Sequence, residues 1–421
     1  MARVDPAAKQ ERKMAEKALP EILHSVSSGK QASLRELAAF FLKLGTVAFG
    51  GPAGHIAMME DELVRRRRWL SREKFLDLLG ASNLIPGPSS SELAIHIGYL
   101  RAGWPGLLVA GTCFILPAAC MVGALAWAYV HFGKLPATAA LLYGVKPVVI
   151  GVILQALWGL GRTAIKTRFL AVVGVVSVGL AFWGLRPLLL LLVAGLAVAL
   201  ADQIVQATKR DHTACFAPLA ALRPVTPATA SLAATTASAA AMTVPFSLGS
   251  LFLVFLKVGA VVFGSGYVLL AFLRADFVVQ RGWLTDSQLV DAIAIGQVTP
   301  GPVFTTATFI GYLLGGTWGA VVATIGTFIP AFLLVAASGP LLPRIRESKM
   351  AGAFLDGVIV ASLALMAVVT WQLARASIID AVTAILAVAS VVALLRFRVN
   401  SGWLVLLGGF VGLLTHGFHL R

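Results

Sequence analysis

The sequence predicts an all-α polytopic membrane protein built from two homologous repeats, and three observations carry that prediction. The 421 residues are 58% hydrophobic and 13% charged, with mean hydropathy +0.87, whereas soluble domains carry about 25% charged residues. From Ala102 to Val130 there is no Asp, Glu, Lys or Arg, a run longer than the roughly 20 apolar residues that cross a bilayer core of about 30 Å. One long motif also occurs twice. An outer-membrane barrel is excluded, because its strands alternate in short segments.

Along the chain, residues 1–33 mix acids and bases and lack the apolar core of a cleavable signal peptide, so they read as a cytoplasmic N-terminal tail. The first repeat then occupies 34–202 and the second 246–421. Between them, 203–245 holds Pro224, Pro227 and the Ala/Thr/Ser run Ala228 to Ala241, the composition of a linker that buries little. An extra crossing in this low-charge stretch stays open. Further apolar runs near 135–161, 168–183, 187–201, 246–273, 317–339, 350–374, 377–395 and 402–415 lead to about 10 to 12 spans.

The repeat is visible by direct superposition of the sequence on itself. Phe41-Leu-Lys-Leu-Gly-Thr-Val-Ala-Phe-Gly50 falls on Phe255-Leu-Lys-Val-Gly-Ala-Val-Val-Phe-Gly264 at an offset of 214 residues. The same offset places Trp69-Leu70 on Trp283-Leu284, Asp77 on Asp291 and Pro86-Gly87-Pro88 on Pro300-Gly301-Pro302. After one residue is lost, Gly98-Tyr99 matches Gly311-Tyr312, Pro117 matches Pro330 and Gly144 matches Gly357. Transporters are frequently built this way, with the substrate site near midplane where the halves meet.

Formal net charge is +15, and the basic residues gather in short connections such as Arg65 to Arg68, Arg162/Lys166/Arg168, Lys209/Arg210, Arg344/Arg346/Lys349 and Arg396/Arg398. The positive-inside rule and anionic lipid headgroups account for them, and nucleic-acid binding is set aside. If these clusters are cytoplasmic, matched positions of the two halves fall on opposite faces. That favours inverted repeats. The four arginines at 65–68 fit only if the first segment is re-entrant or interfacial. Cys113, Cys120 and Cys215 suit packing better than a disulfide or a metal site. His416 and His419 read as tail residues, too few for a metal site.

Each half carries one apolar stretch interrupted by Pro-Gly-Pro, flanked by Asn83, Ser89 and Ser90 in the first copy and by Gln297, Thr305 and Thr306 in the second. Proline removes an amide donor and restrains the residue before it, so the helix breaks at Pro86-Gly87-Pro88 and at Pro300-Gly301-Pro302. Pro88 or Pro302 can then open a new half-helix whose free amides Ser or Thr can cap. A helix N-terminus at membrane depth holds an oxyanion without a buried counter-charge, and paired breaks in two repeats point to a transport site. Packing kinks are the bland alternative. A second break per half is expected at Gly50, Gly51 and Pro52, answered by Gly264 and Gly266 without the proline.

Ionisable residues inside apolar runs are costly and therefore informative. Lys43 and Lys257 occupy matching places, and Lys146 stands deep in its run. Each is a candidate to attract a dianion, with snorkelling to the interface as the alternative for the first two. Glu92, His96 on the same helical face, and Asp356 are the candidates for proton coupling. A structural ion pair is the alternative for Asp356, and a simple complement to the helix dipole is the alternative for Glu92.

Taken together, Phe-Gly-Gly-Pro at 49–52, Arg-Trp-Leu-Ser at 68–71, Asp77, Pro-Gly-Pro at 86–88 and Gly-Tyr at 98–99, recurring in altered form from 255, resemble the chromate ion transporter family. The resemblance covers about 34–200 and 248–420. It implies a two-domain secondary carrier in the bacterial inner membrane that expels chromate, driven by the proton gradient, and so confers chromate resistance. Gly-Ser-Gly-Tyr at 264–267 departs from the Gly-Gly-Pro pattern and argues against equal roles for the two halves. Sulfate is the look-alike dianion, and helix ends and lysines would hold either. Uptake of sulfate or another oxyanion, a channel, and a membrane-embedded enzyme are the rivals; the last lacks clustered acids or a metal motif. No Walker sequence is present, so gradient coupling is expected rather than ATP hydrolysis. No cofactor is implied. A homodimer is left open.

Overall fold

The computed structural model describes residues 33–48, 51–133, 135–211, 245–263, 268–397, 399 and 401–419. Among these residues the chain is helical throughout, with 14 α-helices, short π and 3-10 turns and no strand. Residues 1–32 of the expected tail, most of the expected linker, and Gly50, Gly264 and Gly266 lie outside the described residues.

In the first repeat, α1 is Leu34–Val47, α2 Gly51–Met59, α3 Arg72–Leu84, α4 Ser89–Phe132, α5 Pro136–Ala164, α6 Arg168–Phe182 and α7 Pro187–Asp211. The second gives α8 Leu248–Val261, α9 Leu269–Leu273, α10 Asp286–Val298, α11 Thr306–Glu347, α12 Lys349–Ser377, α13 Ala381–Arg396 and α14 Ser401–His419. Matched helices start alike: Ser33 caps α1 and Ser247 caps α8, each accepting a backbone amide three residues on. The π-helical turns Glu60–Arg66 and Arg274–Gln280 also coincide under the repeat offset. Five helices are long and apolar enough to span a membrane, and four shorter apolar helices accompany them. The protein is a multi-pass membrane protein.

The Pro-Gly-Pro breaks reverse the chain. Arg101 Nη1, beyond the first limb of α4, donates to the carbonyl of Trp69 just ahead of α3 at 3.1 Å, and Ser82 of α3 meets His96 of α4 at 3.3 Å. α3 and the start of α4 therefore run antiparallel, a re-entrant hairpin with Gly87 at its tip. The sequence predicts a span broken midway; two prolines around Gly87 at φ +140° turn the backbone too sharply for the helix to continue onward. The chain reverses again at Ala102 and Gly103 (φ +59°), so that Gly98 and Gly106 pack backbone to backbone. Gly315 and Gly316 repeat that reversal, with Gly311 against Gly319.

The halves are interlocked and run in opposite directions. Tyr143 near the start of α5 donates to Asp380 at the start of α13 at 2.5 Å, while Lys166, just past the end of α5, pairs with Asp356 near the start of α12 at 2.8 Å. α12 thus begins where its counterpart α5 ends. Close glycine contacts fix the crossing: Gly144 of α5 against Gly408 and Gly412 of α14, and Gly357 of α12 against Ala194 and Gly195 of α7. Small residues let membrane helices approach to backbone contact.

Candidate functional site

The two hairpin tips meet the other half rather than their own. The amide of Gly87 donates to Val262, which ends α8, at 2.7 Å, and the amide of Gly301 donates to Ala48, which ends α1, at 3.0 Å. A Cβ at Gly301 would overlap Ala118, which lies midway along the second limb of α4. The tips therefore sit at the middle height of the spanning helices, and each ends a first helix of the opposite repeat. Irregular backbone at that depth has to be covered by protein or line a cavity.

Around the first tip it does line a cavity. A cleft of about 570 Å³ is walled by Pro52 and Ala53 at the start of α2, Asn83 at the end of α3, Ser89 at the start of α4, Gln155, Gly159 and Thr163 along α5, and the Lys166–Asp356 pair. Ser89 begins α4, so the unpaired amides of that helix start at the cleft wall. Capping takes an unexpected form: Pro88 holds the N-cap position and provides no side-chain bond. In the second half, Thr305 and Thr306 turn their hydroxyls back onto the carbonyls of Pro302 and Val303, both at 2.8 Å, since a carbonyl three residues back is the nearest acceptor.

Behind the cleft wall lies a chain of buried polar groups. His55 bridges Ser90 and the carbonyl of Ala48, each at 3.2 Å, tying the break after α1 to the Pro-Gly-Pro tip. His96 touches Ser82 at 3.3 Å, the carbonyl of Glu92 at 3.1 Å and, across the halves, Ser338 at 3.0 Å. Glu92 is fully buried, and among the described residues neither of its carboxyl oxygens has a hydrogen-bond partner. Its carboxyl lies against Gly87, where a Cβ would overlap it. Glycine is favoured at that tip by its φ of +140°, and any side chain there would also displace the Glu92 carboxyl.

The candidate residues divide between this region and others. Pro52, Asn83, Ser89 and Asp356 meet in the cleft. Ser90, Glu92 and His96 stand behind it. Pro86, Gly87 and Pro88 form its tip, and Gly51, at φ +66°, starts α2 beside it. Lys43 is exposed on α1. Lys257 pairs with Asp276 at 2.5 Å, and Arg281 joins the same carboxylate at 3.2 Å. Lys146 reaches Ser287 at 2.7 Å and Asp291 at 3.1 Å, and Tyr129 donates to Asp291 at 2.9 Å. That cluster joins α4 and α5 to α10 on the side away from the cleft. Gln297, Pro300, Gly301, Pro302 and Thr305 form the second tip, all five buried. The sequence reading misses His55, Ser82, Gln155, Thr163 and Ser338, for which a polar residue within an apolar run is the available signal, and Lys166, which reads there as one of a surface cluster.

The two ends differ in charge. At the cleft mouth the pair is Lys166–Asp356, with 60% and 32% of the side chains exposed. At the opposite end Asp380 caps α13, and the Thr383 amide, then the Tyr143 hydroxyl, hold its carboxyl below the usual carboxylate range.

Inverted helical repeats, membrane-length spans and a polar cleft at a paired hairpin tip define a multi-pass membrane transporter rather than an enzyme. More specifically, the chain belongs to the chromate transporter family, whose profile matches residues 35–199 and again 249–413. It is 33% identical over 401 residues to the chromate transport protein of Cupriavidus metallidurans, covering 93% of this chain and 96% of that one. It is 35% identical over 347 residues to the chromate transport protein of Pseudomonas aeruginosa, 82% of each chain. The uncharacterized transporter YwrA of Bacillus subtilis is 28% identical over 160 residues, 37% of this chain but 89% of its own, the size of one repeat. No solved structure matches the chain.

Proposed function

We propose that this protein exports chromate across the bacterial inner membrane in exchange for protons and so confers chromate resistance. The observation that carries the reading is the cleft in which Asn83, Ser89, Gln155 and Thr163 present neutral hydrogen-bonding groups beside the start of α4, with Lys166 at the mouth. Amides at a helix start and hydroxyl or carboxamide groups suit a tetrahedral oxyanion, and Lys166 at the entrance can exchange Asp356 for the anion. The names of the similar proteins support chromate as the cargo. The Arg162/Lys166/Arg168 cluster supports a cytoplasmic mouth under the positive-inside rule, the side from which an exporter loads.

Glu92 supplies the coupling. It is an acid buried between the tip and the His96 network without a hydrogen-bond partner among the described residues, set to carry a proton when the cleft exchanges its anion. Both repeats of one chain complete the cleft, so the mechanism calls for no second copy. The test is chromate accumulation in inside-out vesicles: uptake that saturates, needs a proton gradient and collapses with a protonophore supports export. Sulfate accumulation in right-side-out vesicles, with no chromate uptake in inverted ones, overturns it in favour of import.

A further inference from the structure

A second cavity among the described residues is larger than the cleft, and its chemistry is different. A groove of about 770 Å³ runs between α5, α6, α12 and α13, walled by side chains such as Leu157, Trp158, Val175, Leu363 and Leu395, with Arg162 as its one charged residue. Trp158 and Val175 are 60% and 74% exposed, so the groove opens sideways toward the acyl region rather than to water. An aqueous oxyanion would lose its hydration there with nothing to replace it.

Charge is confined to one end. Arg162 lies in the last turn of α5 and forms no ion pair among the described residues, whereas its neighbour Lys166 is engaged by Asp356. Arg168 opens α6 one turn before the groove residue Ala171. Arg396 closes α13 directly after the groove residue Leu395, and both arginines are exposed. An apolar slot with guanidinium groups at its rim, none in an ion pair among the described residues, matches an amphiphile with a long tail and an anionic head. Basic pockets between membrane helices on the cytoplasmic side bind such headgroups, and a guanidinium grips a phosphate in two-point fashion.

We propose that the groove is a binding site for one anionic phospholipid, its acyl chain between α6 and α13 and its phosphodiester on Arg162. The site is distinct from the oxyanion cleft but shares its walls. Gly161 and Arg162 face the groove while Gly159, Leu160 and Thr163 of the same turns face the cleft. Likewise Val360 and Leu363 of α12 line one cavity, and Asp356 and Ile359 the other.

Native mass spectrometry of the purified full-length protein tests this, with phosphatidylglycerol and phosphatidylcholine of identical acyl chains as the probes. Wild type is expected to retain one phosphatidylglycerol at least severalfold more strongly than phosphatidylcholine. Arg162→Gln should bring the two lipids close to parity, and Arg162→Lys should restore part of the preference. Ala171→Trp, which fills the groove, should remove the tightly held lipid of either kind while the protein stays monodisperse. Equal retention of the two lipids by wild type, or an undiminished preference in Arg162→Gln, overturns the site, as does a retained lipid in Ala171→Trp. Lipid retention is read without any oxyanion, so loss of the transport reading and loss of this site are separate results.

Discussion

The two hairpin tips share a backbone and differ in almost every side chain beneath it. Gly87 and Gly301 both take positive φ, and each donates to the end of the other half's first helix. Under the first tip stand His55, Ser82, Ser90, Glu92 and His96; at the matched positions the second has Leu269, Gly296, Phe304, Thr306 and Ile310. The second tip carries no ionisable side chain at these positions, and Phe304, Ile310 and Leu269 are all buried. Symmetry of the main chain thus serves assembly, because both tips must dock for the halves to interlock. Asymmetry of the side chains serves function. A buried polar group is tolerated only when partnered or used, and the first half concentrates such groups around one carboxyl that has no partner among the described residues.

The largest effect expected from breaking that asymmetry is at Glu92. Glu92→Gln keeps the shape of the side chain and removes its ability to release a proton. Proton-driven chromate accumulation is expected to fall to the level of empty vesicles, while chromate exchange between the two sides without a gradient continues. The reciprocal graft, Thr306→Glu combined with Glu92→Gln, should not restore driven transport, because the second tip lacks the His55–Ser90 and His96–Ser338 links. Restoration would show that the halves are functionally interchangeable and the comparison mistaken. Measurements at several imposed gradients separate lost coupling from lost binding.

Next in size is the cluster that ties α5 to α10 away from the cleft. Asp291 has 4% of its side chain exposed and Lys146 19%, so removing one partner leaves a desolvated charge, at a cost of about 3–5 kcal/mol for a buried pair. Lys146→Ala is therefore expected to abolish export and to lower the melting temperature of protein that still inserts into the membrane. The double variant Lys146→Met, Asp291→Leu should recover most of the thermal stability but not transport, if this contact must open and close in each cycle. Full transport in the double variant would reduce the cluster to packing.

Much of this is legible in the sequence. The 214-residue register, the two breaks and the preference of Pro-Gly-Pro for ending a helix all rest on local chemistry, which a sequence displays directly. The same is true of inversion, read from where the basic clusters fall. What is not legible is the return of the chain at each break. A reversal depends on the φ of Gly87 and on the opposite half receiving its amide, both of which are tertiary facts. The lysines show the same limit. Lys43, Lys146 and Lys257 stand out by position within apolar runs, yet two of them are tied to acids 19 and 145 residues away, Asp276 and Asp291. The cation at the cleft mouth, Lys166, is hidden among surface arginines, and only the fold brings it to Asp356.

The smallest expected effect concerns the matched ends of α5 and α12, and it sharpens the same contrast. Tyr143 corresponds to Asp356 in the repeat, so one end of the bundle is tied by a neutral hydroxyl on Asp380 and the other by Lys166 on Asp356. Only the second holds a cation, which an incoming oxyanion could reach by taking the place of Asp356. The carboxyl of Asp380 is held below its ordinary range by the Thr383 amide and the Tyr143 hydroxyl. The stability it contributes is therefore fully present above the unfolded carboxyl value of about 3.9 and is lost as pH falls through the lower folded value. Asp380→Ala is accordingly expected to lower the melting temperature slightly at neutral pH, with the difference from wild type shrinking in strong acid, and to leave chromate uptake unchanged. Lys166→Ala, at the matched end, should do the opposite: little change in melting temperature, since an exposed pair contributes at most about 1 kcal/mol, but a raised KM for chromate. If both variants impair uptake equally, the two ends are not divided into a loading mouth and a structural seal.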